Sequence, residues 1–240
     1  MSPKTRASAR PRTLAVDIGG SHIKAAILDP RGRPASERAR VATPDPSTPA
    51  AITRAVERLV RQLPDFDRAS VGFPGVIVDG RVLSAANLHR AWVGQHVVRR
   101  MRAAIGRPTR VANDADIQGL GVVRGRGVEL VLTFGTGVGS ALFLDGRLVP
   151  NLEVGHHPFR NGDTYEDQLG DRPLRRVGPR HWNKRLRHAV ATLRRLFTPR
   201  RIYLGGGNAR LIRPPLPPDV TVVSNFAGIT GGIRLWEDDA

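Results

Sequence analysis

Two stretches of this chain join residue types suited to holding a phosphate. They are Val16-Asp17-Ile18-Gly19-Gly20-Ser21 and, about 116 positions further on, Leu132-Thr133-Phe134-Gly135-Thr136-Gly137. Apolar residues run up to each bend and resume after it, the pattern of a strand, a tight turn and a second strand. Glycines there leave backbone N–H groups uncovered and able to face a phosphate, and Asp17 adds a carboxylate at a strand end where a magnesium ion could sit. One such stretch is equally well a plain hairpin. The second copy, continued without a gap as Ile27-Leu28-Asp29 over Phe143-Leu144-Asp145, favours two half-chains that each present one cradle to the same group.

A hydroxyl attacking a phosphoryl group needs alignment and a place for its proton. Asn113-Asp114-Ala115-Asp116 offers two carboxylates in a first helical turn, where acids also serve simply as caps that complement the helix dipole. Glu153 and His156, three residues apart in a loop, pair a hydrogen-bond acceptor with a group able to donate or accept.

The elements that must position these groups follow from periodicity and turn chemistry. Strands are predicted for both arms of each glycine bend and at about 38–42, 69–77 (broken by Pro74-Gly75), 109–112, 201–205 and 220–223. Helices are predicted at about 47–63, capped by Ser47 or Thr48, at 95–105, from Asn113, through the basic segment that ends near Thr198-Pro199, and from Asn225. In the basic segment Trp182, Leu186, Ala189, Leu193 and Leu196 form an apolar face, with Lys184, Arg187, Arg194 and Arg195 largely opposite.

Of the formal net charge of +17, +4 lies in residues 1–12 and +10 in 171–201, so the rest is nearly balanced. The first 12 residues read as a disordered basic tail, and the second segment as a basic stripe suited to a polyanion. No cysteine is present, which excludes disulfides and thiolate metal sites. No apolar run approaches a membrane span and no signal core opens the chain, so a cytoplasmic protein without membrane contact is expected.

Four motifs in order, Asp17-Ile18-Gly19-Gly20-Ser21-x-Ile23-Lys24, Asn113-Asp114-Ala115-Asp116, Gly135-Thr136-Gly137-Val138-Gly139 and Glu153-x-Gly155-His156, resemble the ROK family of sugar kinases, most closely its polyphosphate glucokinase branch. The resemblance covers about Leu14 to Trp236. It implies an α/β, actin-like (ribonuclease H-like) fold of two duplicated lobes, 13–112 plus 226–240 and 113–225, with a cleft between them. The implied activity is phosphoryl transfer from inorganic polyphosphate, and also ATP, to the 6-hydroxyl of glucose. The alternatives are a strictly ATP-dependent glucokinase or glucomannokinase and, from another class, a non-catalytic sugar-sensing or nucleic-acid-binding protein.

The same resemblance assigns roles. Asp114 is the general base, with Asp116 its competitor. Asn87, Asn113, Glu153, His156 and Glu166 hold the sugar, Asp167 competing with Glu166. Asp17, Gly19, Gly20, Ser21, Lys24, Gly135, Thr136, Gly137, Gly205, Gly206 and Gly207 face the donor, and Asp17 positions Mg2+. Beside the resemblance, the charge pattern makes Lys184, Arg187, Arg194 and Arg195 a polyphosphate stripe. Most relatives also hold a structural zinc through a cysteine loop; without cysteine no zinc site is expected. His22 stands where the family usually has glycine. A homodimer is common in the family, and nucleic acid is disfavoured because the residues before the first bend leave no room for a helix-turn-helix domain.

Overall fold

The computed structural model describes residues 11–224 and 230–237. The part of the expected tail before Pro11 and the predicted start of the last helix at Asn225 to Ile229 lie outside them.

Two five-stranded sheets share one plan. In the first, β1 (Thr13–Ile18), β2 (His22–Leu28) and β3 (Ala39–Ala42) form an antiparallel meander. After α1 (Pro49–Val60), β4 (Arg68–Phe73) pairs parallel with β1. The small hairpin β5 (Ile77–Val78) and β6 (Arg81–Val82) and the helix α2 (Val97–Ile105) follow, and β7 (Thr109–Asn113) then pairs parallel with β4. The strand order is β3-β2-β1-β4-β7.

The chain crosses through α3 (Asp114–Leu120) and repeats the plan. Strands β8 (Val128–Phe134), β9 (Val138–Leu144) and β10 (Arg147–Val149) form the second meander. A hairpin of β11 (Pro158–Arg160) and β12 (Asp163–Thr164), the short helix α4 (Tyr165–Leu169) and the long helix α5 (Asp171–Phe197) intervene. Strand β13 (Arg201–Gly205) then joins β8, and β14 (Val220–Val222) joins β13, both parallel. The order β10-β9-β8-β13-β14 has the same sense as the first sheet, which is the duplication the repeated bends predict.

Each sheet buries its outer face against its own helices. Ile52, Val56 and Leu59 of α1 and Met101 of α2 pack with Trp92 on the first sheet, while Trp182, Leu186, Val190 and Leu193 of α5 cover the second. Burial of this apolar area is the main stabilising term. The N-cap of α1 is Thr48, whose hydroxyl accepts from the Ala51 amide at 3.3 Å. The layer between the sheets holds α3, packed on β4, β7, β8 and β9, and the terminal 3-10 helix Gly231–Trp236, packed on α3, β1 and β4.

One expectation about α5 needs correction. Leu196 is 65% exposed, because the buried arc turns toward Val190 and Phe197, which pack on the core, and leaves Leu196 at its opposite edge. Val190 is buried in the face instead. The helix also bends at Gly178, whose φ of 73° breaks the helical run just before Pro179.

Candidate active site

In open α/β sheets ligands gather at the carboxyl ends of the parallel strands, and here both sheets turn those ends toward one cleft. Strands β1, β4 and β7 deliver Asp17, Pro74 and Asn113 to its wall, and β8 and β13 deliver Phe134 and Gly206. The cavity has a volume of about 510 Å³.

The two glycine bends meet across it. The Ser21 and Thr136 hydroxyls lie 3.4 Å apart, and a Cβ on Gly20 would rest 3.5 Å from the Thr136 side chain and 3.7 Å from Asn87. Each bend closes on itself, the Gly19 amide donating to the His22 carbonyl and the Gly135 amide to the Gly137 carbonyl, both at 3.0 Å. The amides left for an incoming anion are therefore those at the tips, at Gly20, Ser21, Thr136 and Gly137.

Asp114 opens α3 at the floor of the cleft. Asn113 caps the helix, its Oδ1 accepting from the amides of Ala115 at 2.8 Å and Asp116 at 3.4 Å, and Asp114 Oδ1 accepts from the Ala115 amide at 2.9 Å. Gly72 on β4 packs under this turn, where a Cβ would be in ordinary van der Waals contact at 3.5 Å from Asp114 Cα. Burial pushes the Asp114 carboxyl up to about 7, helped by the negative charges of Asp17 and Glu153 and opposed by the Ala115 amide. A base of that pKa changes protonation state near neutral pH.

Its competitor Asp116 is 3% exposed and faces away from the cavity. Burial, then repulsion from Asp114 and Glu153, raises its pKa to about 8. One of its carboxylate oxygens is buried without a hydrogen-bond partner.

Asp17 accepts a hydrogen bond from Lys24 Nζ at 3.3 Å, and 22% of its side chain remains open. Burial raises its pKa, while Lys24 and Arg38 lower it. One carboxylate with an oxygen free for the cleft, opposite amides open to an anion, fits a Mg2+ whose other ligands would be phosphate and water. No group of three or more His, Cys, Asp or Glu that could hold a metal occurs among the described residues.

On the other side of the bends, Glu153, His156, Asn113, Asn87 and Glu166 converge. His156 Nε2 lies 3.4 Å from Glu153 Oε2, and the Asn113 amide reaches Glu153 Oε1 at 3.5 Å and the Gly75 carbonyl at 3.3 Å. Burial raises the Glu153 pKa, His156 opposing and Glu166 adding to the shift. Glu166 is brought in by α4 and accepts the Val138 amide at 3.0 Å. Gly137 admits it: a Cβ there would collide with Glu166 Oε2 and crowd the Asn87 amide. Asp167 is spent on the capping box of α4 with Thr164.

Gly206 and Gly207 line the cleft, whereas Gly205 is buried behind it against the Gln118 side chain. Lys184, Arg187, Arg194 and Arg195 are absent from its wall, and Arg194 is paired with Asp219 at 2.8 Å. Several wall residues carry no motif signal. Gln118 lies one turn beyond Asp114 on α3, Asn208 donates to the Gly135 carbonyl at 3.3 Å, and Arg210 stands on the 3-10 turn Gly207–Leu211. The i, i+4 spacing of Asp114 and Gln118 was the one available hint for the first of these.

Two similar lobes, a paired glycine cradle and an inward carboxylate at a helix start define a two-lobed, actin-like sugar kinase. The family model described as the ROK family matches residues 13–163, and the chain belongs to that family. It is 30% identical over 241 residues to a polyphosphate glucokinase of Mycobacterium leprae (strain TN), covering 93% of this chain and 74% of that protein. An inorganic polyphosphate/ATP-glucomannokinase from Arthrobacter sp. strain KM superposes with a TM-score of 0.87 at 33% identity, covering 95% of this chain and 99% of that one. A ROK family glucokinase from Streptomyces griseus, solved with glucose and AMPPNP, gives 0.78 at 22% identity over 93% and 98%, a likeness of fold.

Proposed function

We propose that this chain is a polyphosphate glucokinase, moving the terminal phosphoryl group of inorganic polyphosphate to the 6-hydroxyl of glucose. The observation that carries the reading is the contact between the two bends across the same cavity that the Asp114 carboxyl lines. The relatives' names support the donor and the sugar. Lobes 13–112 plus 226–240 and 113–225 close on the substrates, with Asn113-Asp114 at the junction.

Asn87, Asn113, Glu153, His156 and Glu166 hold the sugar hydroxyls and aim the 6-hydroxyl at the bends. The Asp114 carboxylate takes the hydroxyl proton as the sugar oxygen bonds to phosphorus and the bridging bond to the shortened polyphosphate breaks. Amides at the tips of the bends hold the equatorial oxygens, where charge is spread in the transition state. Asp17 would hold the Mg2+, which supplies neutralising charge on the donor phosphates. Lys24 keeps Asp17 oriented.

A second donor and sugar are favoured by one specific observation, the polyphosphate/ATP-glucomannokinase that superposes over nearly the whole chain. Steady-state phosphorylation of glucose and mannose, with polyphosphate and ATP side by side, tests both readings. Glucose 6-phosphate formed from polyphosphate supports the first; turnover with ATP alone transfers the assignment to a strictly ATP-dependent kinase.

A further inference from the structure

The basic segment and the cleft are separate in the sequence and neither Arg187 nor Lys184 reaches the cavity wall, yet one loop connects them. The turn Gly207–Leu211 carries Arg210 on the cleft wall. The next residues are bolted to α5 at one point. Asn183 donates to the Leu211 carbonyl at 2.9 Å and accepts from the Arg213 amide at 2.8 Å.

Helical geometry then says which arginines flank that point. At about 100° per residue, Arg180 and Arg187 lie within about 60° of Asn183 around the helix axis. Further along the same face Arg194 is tied to Asp219, which fixes this side of α5 against the loop 211–219. Arg185 turns to the far side of the helix and Lys184 lies next beyond Arg180, at about 100° from Asn183; both border a separate hollow with Arg160 and His181. Arg180, Arg187, Arg210 and Arg213 are exposed, and no hydrogen bond or ion pair engages their side chains among the described residues. Between Asp171 and Asp219 the chain contains no Asp or Glu, so no carboxylate of this whole segment neutralises them.

We infer that Arg210, Arg213, Arg180 and Arg187 form a track that leads a long polyphosphate chain out of the cleft and along one edge of α5. The inference rests on polyphosphate being the donor. Its chemistry is that of a flexible linear polyanion whose binding releases counterions at each neutralised phosphate. A short donor fills the cleft and meets Arg210; only a long one extends to Arg180 and Arg187. The track ends where Asp219 neutralises Arg194, so Arg194 and Arg195 lie beyond it.

The test compares tripolyphosphate with long-chain polyphosphate at several salt concentrations. For the Arg180→Glu/Arg187→Glu double variant, the KM of the long chain rises on the order of tenfold more than that of tripolyphosphate, and its salt dependence falls by about one phosphate contact per arginine removed. Arg210→Gln raises both KM values together. The charge-matched variant Arg54→Glu/Arg58→Glu, on α1, does not separate the two donors. A parallel rise in both KM values for the Arg180→Glu/Arg187→Glu variant overturns the track, as does an equal separation in the α1 variant. Chain-length-dependent inhibition by single-stranded DNA at physiological salt, lost in the same variant, reassigns the surface to nucleic acid. Wild-type protein that turns over neither polyphosphate removes the donor assignment and the track with it; wild-type turnover without separation in the variant removes only the track.

Discussion

At the scale of single residues the site is decided by what surrounds each carboxyl. Asp114 and Asp116 are two positions apart, share a motif and both have raised pKa values, but only Asp114 faces the cavity. As the proposed base Asp114 must be ionised, so a pKa near 7 places the acid limb of activity there. The kcat/KM for glucose is expected to fall about tenfold per pH unit below about 7 and to level above it, as a pH–rate profile at saturating donor will show. A second prediction concerns space. Gly137→Ala forces Glu166 away from its contact with Val138 and crowds Asn87, so the KM for glucose should rise on the order of tenfold with a smaller change in kcat. Steady-state kinetics with glucose varied reads both. That Asp114 and not Asp116 would face the cleft was legible in sequence only through the family resemblance, because periodicity places both acids in the same helical turn.

Among the elements, the join between the lobes depends on a buried acid with no part in the chemistry. Glu129, on β8, accepts the amides of Arg124 at 2.9 Å, Gly125 at 2.7 Å and Arg126 at 3.2 Å, together with the Tyr203 hydroxyl at 2.6 Å. These bonds fix the turn that carries the chain from α3 into the second sheet. They outweigh burial and lower the Glu129 pKa, while burial and the Glu129 contact push Tyr203 up to about 12. A carboxyl whose folded pKa is depressed contributes stability above its unfolded pKa, lost as pH falls through the folded value. Glu129→Ala leaves the buried Tyr203 hydroxyl unpartnered and frees three amides of the turn, a loss of about 1–3 kcal/mol, measurable by urea unfolding at neutral pH. The difference from wild type should narrow in acid. Most strands and helices were legible from alternation, glycine turns and caps. The buried arc of α5 was not, because tertiary packing sets how the helix is rotated on its sheet, and Leu196 falls outside the arc while Val190 and Phe197 fall inside it.

For the whole molecule, the repeat of glycine bends foretold two sheets of one plan, and that duplication brings Ser21 and Thr136 together from opposite halves of the chain. What the repeat left hidden is the part of the cleft made by elements inserted between its strands. Arg210 and Gln118 enter the wall from a 3-10 turn and a helix whose orientation is set by tertiary packing; no spacing announces Arg210, and only the i, i+4 relation to Asp114 hints at Gln118. The basic stripe was visible as charge, but its position outside the cleft became clear only when the packing of α5 on the second sheet was known. Phosphoryl transfer with Asp114 as the base is tested most directly by the Asp114→Asn variant, with kcat measured beside the calorimetric dissociation constant of glucose. The Asn side chain keeps an oxygen for the Ala115 amide, and circular dichroism will show the fold retained. The expected result is a loss of roughly 10²–10⁴ in kcat with glucose affinity within about threefold of wild type; a kcat near that of wild type would contradict it.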